Sequence, residues 1–322
     1  MNLTRRFALA ALTSVFALPA VAAEKPLPTQ YVIISFDGAQ HIEQWQRSRA
    51  LARKTGAEFT YFLSCVYLLT RADRALYDPP RHTTGRSNVG YAESKDDVAQ
   101  RLRQLWTARM EGHEIASHGC GHFDGGEWSA SEWESEFRQF SQILAGAWEI
   151  NGIPHQPPSW KTFVETEIIG FRAPYLSTGA GLFDALEADG FAYDASTVSR
   201  GPAMPKHGTV TRFSLPMIPE GPSARPIIAM DYNLFVRHSG GLERGDPDGS
   251  FEARTRQAFT QALDDQLAGE RLPLQIGFHF TLMNDGAYWR ALEGFAEDAC
   301  ARESVRCVSY RTYLEETARS DG

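Results

Sequence analysis

The stretch YVIISFDG, residues 31–38, decides how this chain is expected to fold. Six apolar or small uncharged residues lead up to Asp37, and Gly38 follows it. A short apolar run closed by a polar residue and a glycine is typical of a buried strand in a parallel sheet. Asp37 is therefore predicted to lie at the carboxyl end of such a strand, which is where barrels built from βα units carry their active sites.

Outward from this stretch, strand-like runs alternate with segments of helical periodicity. The further predicted strands are 59–63, 115–117, 168–172, 192–194, 227–231 and 274–279, and the predicted helices are 41–54, 94–111, 129–150, 179–189 and 251–268. Ser94 and Ser129 are predicted N-caps. The alternation predicts an α/β fold, a parallel sheet or barrel with outer helices. The stretches 153–159 and 199–226, rich in Pro or Gly, are interpreted as decorations of one domain, the second with an embedded strand-like segment at 209–215.

The N-terminus has the pattern of a secretory signal peptide. Arg5 and Arg6 precede an apolar run over residues 7–21, and Ala20-Val21-Ala22 is a small-x-small cleavage site. We therefore expect a signal peptide over 1–22, a single catalytic domain over 23–322, and a periplasmic or secreted protein. The arginine pair leaves both the general and the twin-arginine export routes open.

Composition limits the possible partners. The chain has 322 residues, of which 43% are hydrophobic, and a net charge of −8. An acidic balance disfavours nucleic acid as a partner because phosphate binding needs a basic face. No run of about 18 apolar residues follows the predicted signal peptide, so no membrane span is expected in the mature chain.

The four cysteines are an even number in a chain that is predicted to be exported. Such a chain can form disulfides. Cys300 and Cys307 flank one short turn and are the expected pair. Cys65 and Cys120 each follow a predicted strand, and they could bridge neighbouring strands or remain buried thiols.

Several side chains that could bind a metal ion or take part in catalysis follow the predicted strands. His118 and His122 lie four residues apart after the strand 115–117, and they can face one point if the chain makes a helical turn there. Two converging neutral imidazoles suit Zn²⁺ or a similar ion. Arg172, Asp194 and His279 each end another predicted strand. Acidic, guanidinium and imidazole groups are thus expected to gather at one edge of the sheet.

On these residues the chain resembles the polysaccharide deacetylase family, the NodB-homology group of metal-dependent carbohydrate esterases, and within it the chitin-deacetylase-like members. The family's five ordered motifs are matched by SFDGA at 35–39, His118 with His122, Arg172 with Pro174 and Tyr175, Asp194, and His279. The resemblance implies a single distorted, incomplete (β/α) barrel. It also implies a hydrolase that removes acetyl groups from N-acetylated sugar units of a polysaccharide such as chitin or peptidoglycan.

The resemblance implies roles for individual residues as well. A divalent metal ion, with zinc as the expected ion, would be held by His118 and His122. Asp37 would act as the general base and His279 as the general acid. The supporting groups would be Arg172, which orients the base, the backbone N–H of Tyr175 at the oxyanion, and Asp194, which holds the acid charged.

One position departs from the family pattern. The family has a second aspartate, a metal ligand, where this chain has Gly38, so the metal site is one protein ligand short. Asp37, Asp124, Asp231 or a water molecule could complete it. The departure keeps two other functions open: a catalytically impaired carbohydrate-binding protein, and a metal-dependent amidase acting on a small non-sugar amide.

Aromatic residues near the predicted loops are candidates for stacking on sugar rings. They are Trp45, Tyr91, Trp128, Trp133, Trp160, Tyr175, Tyr232 and Trp289, of which Trp133 and Trp289 are expected in the core.

Overall fold

A computed structural model of the chain describes residues 28–320. The predicted signal peptide lies outside the described residues. The strands are β1 Gln30–Gly38, β2 Thr60–Leu63, β3 Glu114–Ser117, β4 Gly170–Phe171, β5 Tyr193–Ser199, β6 Thr211–Glu220, β7 Arg225–Ile228, β8 Leu274–His279 and β9 Val305–Val308. The helices are α1 Ile42–Thr55, α2 Lys95–Met110, α3 Ala130–Ile150, α4 Trp160–Glu167, α5 Ala180–Ala188, α6 Asp231–Ser239, α7 Ser250–Ala268, α8 Met283–Ala299 and α9 Tyr310–Ser320.

The strands form one curled sheet. Its order is β7-β6-β5-β4-β3-β2-β1-β8, and β9 pairs with β1. The pairs are parallel except β6 with β7, which is antiparallel. A single parallel bridge between Met230 and Gly277 brings the chain after β7 back to β8. The sheet therefore curls into an incomplete (β/α) barrel with helices around it, and the predicted fold class is confirmed.

Alternate residues of β1 serve two different cores, as the two-residue period of a strand requires. Val32, Ile34 and Phe36 belong to the large apolar cluster between the sheet and the outer helices. Ile33 belongs to a smaller cluster that lies inside the curl of the sheet. Asp37 shares the face of Ile33, so its carboxylate enters the barrel interior.

Most predicted elements are found close to their predicted bounds. The Ser94 side chain accepts a hydrogen bond from the Asp97 N–H, and Ser129 forms a full capping box with Glu132, so both predicted caps are confirmed. The predicted strand 227–231 is too long, because β7 ends at Ile228 and Asp231 already begins α6. The strand-like segment 209–215 is found as part of β6, which is longer than predicted, so the stretch 199–226 is more than a decoration.

The expected disulfide Cys300–Cys307 is present, and Cys65 and Cys120, for which a bridge and buried thiols were both open, form a second one. Cys65 opens a short 3₁₀ turn after β2, and Cys120 lies in the loop after the neighbouring strand β3. The second bridge therefore ties together two loops at the carboxyl edge of the sheet. Within residues 28–320 no helix is both long and apolar enough to span a bilayer.

The two disulfides are predicted to contribute unequally to stability. They close segments of 55 and 7 residues, and the chain entropy that a cross-link removes from the unfolded state grows with the length of the segment. We expect Cys65→Ala/Cys120→Ala to lower the free energy of unfolding by about 4 kcal/mol and Cys300→Ala/Cys307→Ala by about 2 kcal/mol. Urea denaturation measures both, and equal losses would contradict the expectation.

Candidate active site

A buried ion pair lies at the centre of the barrel interior. Arg172, which is fully buried, donates from Nη1 to Asp37 Oδ1 at 2.8 Å and to Ser35 Oγ at 2.9 Å. Burial, the largest single effect, would raise the pKa of Asp37, but the charge and hydrogen bond of Arg172 together with the nearby His118 and His279 imidazoles outweigh it and hold that pKa below its usual value. Asp37 is therefore a carboxylate, and Arg172 is its partner.

His279 lies next to Asp37 and has a different partner. The parallel register of β1 and β8 pairs Asp37 with His279. The His279 Nδ1 lies 2.7 Å from Asp231 Oδ1, and the His279 backbone N–H donates to Asp231 Oδ2 at 2.8 Å. Burial, the largest single effect, would lower the pKa of His279, but the charge and hydrogen bond of Asp231 together with the charge of Asp37 outweigh it and raise that pKa. The imidazole thus favours its protonated form.

Asp194 does not occupy the place beside His279 that the family resemblance implied. It is fully buried, its Oδ1 accepts hydrogen bonds from the Ser196 N–H and hydroxyl, and its Oδ2 has no partner among the described residues. Burial raises its pKa to about 6. The Ser196 hydroxyl accepts from the Ala173 N–H at 2.8 Å, so Asp194 supports the turn after Arg172. Asp231, at the N-terminus of α6, is the orienting carboxylate.

The two predicted metal-binding histidines lie together, as the spacing indicates. Their ring centroids are 5.1 Å apart. His118 Nδ1 lies 2.7 Å from the carbonyl oxygen of Arg172, and a carbonyl can only accept, so Nδ1 carries the proton and Nε2 has a free lone pair. Burial lowers the pKa of both imidazoles, that of His122 to about 3, so both are neutral.

One cleft of about 200 Å³ lies at the carboxyl edge of β1 and β8, and its lining includes Asp37, His118, His122 and His279. Tyr175, with a side chain that is 60% exposed, packs its ring 4.7 Å from the ring of His122 at the rim. Tyr232, which is 53% exposed, lies 6.1 Å from the ring of His279. The residues that line the cleft are Asp37, Gly38, Ala39, Gln40, His41, Tyr67, Val89, His118, His122, His279, Phe280 and Thr281.

Left-handed backbone conformations gather around this cleft. Ala39, His122 and Tyr175 have φ values of 57°, 54° and 59°. Such values cost energy in residues other than glycine, and they persist where the surrounding structure enforces them, which is often at functional sites. The turn that carries His122 is held by Glu136, which accepts a hydrogen bond from the Cys120 N–H at 2.7 Å, and by the Tyr77 hydroxyl, which accepts from the Gly121 N–H at 3.0 Å.

The donor set does not fit the metal site that the family resemblance implies. Catalytic zinc usually has three protein ligands. Among residues 28–320 no three His, Cys, Asp or Glu side chains gather so that they could hold an ion. Of the three acids considered from the sequence, Asp37 is paired with Arg172, Asp231 is paired with His279, and Asp124 is exposed and accepts from the Gly126 N–H.

Gly38 has no side chain that could serve as a ligand, and its backbone conformation disfavours a residue that has one. Its φ of +89° is strained for any residue with a side chain. A Cβ placed on Gly38 would lie 3.8 Å from Cε2 and 3.9 Å from the hydroxyl of Tyr67. The ring of Tyr67 therefore borders the space into which a ligand at this position would extend.

The five tryptophans considered in the sequence analysis do not line the cleft. They lie in the core, between 0% and 5% exposed, and are Trp45, Trp128, Trp133, Trp160 and Trp289. Tyr175 and Tyr232 are the two candidates for sugar stacking that are exposed at the rim. Two site residues, Asp231 in its orienting role and Tyr67, were missed in the sequence. Asp231 ended an apolar run and so gave a signal, whereas Tyr67 gave none.

Comparisons with known proteins give a consistent picture of the fold. A structure named as that of a polysaccharide deacetylase from Mycobacterium smegmatis superposes with a TM-score of 0.57 at 14% identity, over 94% of this chain and 96% of the other. One from Pseudomonas aeruginosa PAO1, also named as a polysaccharide deacetylase, gives 0.54 at 14% identity, over 90% and 91%. The fold is that of the polysaccharide deacetylases.

The polysaccharide deacetylase fold is not confined to one named activity. The allantoinase Puue superposes with a TM-score of 0.53 at 15% identity, over 88% of this chain and 89% of the other. No family model and no curated protein matches the sequence. Identities this low show the fold alone, so the activity has to be argued from the side chains in the cleft.

Removing the carboxylate of the central ion pair is predicted to destabilise the protein. Asp37→Asn would leave the Arg172 charge buried and unpaired, so we expect a loss of roughly 3 kcal/mol in the free energy of unfolding at pH 7. The folded-state pKa of Asp37 is lowered, so the wild type itself loses this stabilisation as the pH falls below the usual carboxyl range, and the difference should shrink there.

Asp194→Asn is the matched control for this prediction. Asp194 is equally buried, but its pKa is raised and it has no cationic partner at hydrogen-bond distance. We expect little or no loss of stability at pH 7. Urea denaturation of both variants at pH 7 and at lower pH makes the comparison, and equal losses would contradict the assignment of the ion pair.

Proposed function

We propose that the protein is a hydrolase that removes acetyl groups from N-acetylated sugar units of a polysaccharide. The observation that carries the proposal is that a carboxylate held by Arg172 and an imidazole held by Asp231 open side by side onto one cleft. Their environments favour opposite protonation states, deprotonated for Asp37 and protonated for His279. Amide hydrolysis requires this combination of a general base and a general acid.

The steps follow from these two groups. Asp37 takes a proton from a water molecule, whose oxygen attacks the acetamide carbonyl carbon. The unprotonated Nε2 of His118 accepts a hydrogen bond from the same water and so orients it. His279 then donates its proton to the amide nitrogen as the C–N bond breaks. The products are acetate and a free amine, and solvent returns both side chains to their starting protonation states.

Two features of the rim support a sugar polymer as the substrate. Tyr175 and Tyr232 are exposed and lie beside His122 and His279 of the cleft lining, where sugar rings can stack on aromatic faces. No residue of the stretch 199–226 lines the cleft as described, so this stretch does not cap it. An uncapped rim with aromatic residues suits an extended chain of sugar units.

We also propose that the protein is exported, as the N-terminal pattern of residues 1–22 predicts. Two disulfides are typical of proteins that fold in an oxidising compartment such as the periplasm.

Acetate release from N-acetylglucosamine oligomers by the purified protein tests the proposed function. We expect the wild type to release acetate, and we expect His279→Gln to lower kcat by about 100-fold because the leaving amine loses its acid. His238→Gln is the matched control, since His238 lies in a buried ion-pair cluster with Glu220 outside the cleft. Metal analysis of the same samples tests the predicted zinc ion.

A small non-sugar amide is the second candidate substrate, and it is favoured by the modest cleft volume of about 200 Å³. A panel of small N-acetylated amines, assayed beside the oligomers, separates the two. A higher kcat/KM on the small amines would overturn the polysaccharide assignment. A wild type that binds oligomers but releases no acetate from either would support the impaired carbohydrate-binding protein.

The pH profile is predicted to identify the partner of the general acid. Deprotonation of His279 should produce the alkaline fall in kcat/KM, and Asp231 places this fall above the usual histidine pKa. Asp231→Asn removes the negative charge that raises the pKa of His279, while burial still lowers that pKa. The alkaline fall in kcat/KM should therefore move to lower pH. Asp194→Asn should leave it in place. If Asp194→Asn moved the alkaline fall and Asp231→Asn did not, Asp194 would be the residue that orients His279.

A further inference from the structure

The proposed hydrolysis leaves one requirement only partly assigned. When water attacks the carbonyl carbon, the carbonyl oxygen becomes an oxyanion that needs a donor or a positive charge. In the deacetylase family the resemblance assigns this task to a metal ion and to the backbone N–H of Tyr175, but the donor set here does not fit the metal site. A second protein donor, in place of the metal ion, has to be sought in the cleft.

The Tyr67 hydroxyl is such a donor. Tyr67 lines the cleft together with Asp37 and His279, and its hydroxyl lies 3.9 Å from the place where a Cβ on Gly38 would be. Within residues 28–320 this hydroxyl makes no hydrogen bond. Burial raises the pKa of Tyr67, so the phenol keeps its proton and can donate it.

The position of Tyr67 is fixed from several sides. Arg101, which is 2% exposed, donates to the Tyr67 carbonyl oxygen and to the Gln40 carbonyl oxygen, each at 2.6 Å. Two residues before Tyr67, the disulfide from Cys65 to Cys120 ties the 3₁₀ turn to the loop between His118 and His122. A donor held this rigidly costs little reorganisation when charge develops on the substrate.

We propose that Tyr67 is a catalytic residue whose hydroxyl donates a hydrogen bond to the carbonyl oxygen of the scissile amide, in the space that Gly38 leaves free. This inference rests on the proposed function. As the water oxygen bonds to the carbonyl carbon, the C=O π electrons move onto the oxygen, and the Tyr67 O–H binds the resulting oxyanion without giving up its proton. When the C–N bond breaks, the C=O bond re-forms and the hydrogen bond weakens.

Tyr67→Phe tests this role because it removes the hydroxyl and keeps the ring. We expect kcat on N-acetylglucosamine oligomers to fall about 100-fold with KM changed less than about twofold, the pattern of an interaction made chiefly in the transition state. The thermal unfolding midpoint should stay close to that of the wild type. Activity of the wild type should survive dialysis against a chelator, with metal content checked by mass spectrometry.

Tyr61→Phe is the matched control, since Tyr61 is buried in β2 and its hydroxyl pairs with Ser48 at 2.9 Å, outside the cleft. It should retain wild-type kcat. A Tyr67→Phe variant with wild-type kcat would overturn the role of Tyr67 and leave the proposed function standing. Chelation could also abolish wild-type activity, with zinc restoring equal activity to the wild type and to Tyr67→Phe. That result too would overturn the role of Tyr67 and leave the proposed function standing. A wild type inactive on the oligomers would overturn both proposals.

Discussion

The buried guanidinium of Arg172 is the constraint on which the rest of the barrel interior depends. A charge removed from water is costly unless its N–H groups all find partners. Those of Arg172 reach Asp37 and Ser35 on β1, the Ala195 carbonyl oxygen on β5 at 3.1 Å and the Tyr310 hydroxyl at the start of α9 at 2.8 Å. One side chain thus joins three elements that are far apart in the sequence.

This arrangement also determines the charge state of the site. Because Arg172 is positive and fully buried, the carboxylate beside it stays deprotonated although it is itself only 4% exposed. The parallel register then brings His279 to the same level of the sheet as Asp37. Base and acid are therefore neighbours because of strand pairing, and their separate partners, Arg172 and Asp231, keep their protonation states apart.

The sequence predicted the strand ends well because buried parallel strands are short apolar runs, and a polar residue that closes such a run is easy to recognise. Asp37, Arg172 and His279 were found in this way, and the structure places Asp37 beside both of the others. The order of motifs assigned Asp194 as the partner of His279, but order along the chain says nothing about which side of the barrel a side chain faces. Asp231 reaches His279 because the chain turns into α6 directly after β7.

Tyr67 could not be predicted, because its role depends on a loop packed by distant residues. Arg101 on α2 and the disulfide to Cys120 fix the loop; the contact of Arg101 has no sequence pattern, and the cysteine positions left the disulfide open. The left-handed turns at His122 and Tyr175 were likewise not readable from residue types that rarely adopt them. What the sequence predicts are the local elements and the residues at their ends, whereas the loops across the cleft depend on tertiary packing.

At Gly38 both a residue at a strand end and the packing of a distant loop determine the local structure. Replacing a ligand by glycine could be regarded as simple loss of a side chain, but the backbone there has a φ of +89°, which an aspartate would adopt only with strain. The backbone after β1 is thus suited to glycine, and Tyr67 borders the space beside it. Because Asp37, His118 and His279 are held by Arg172 and Asp231 rather than by an ion, the acid–base pair keeps its geometry without a third ligand.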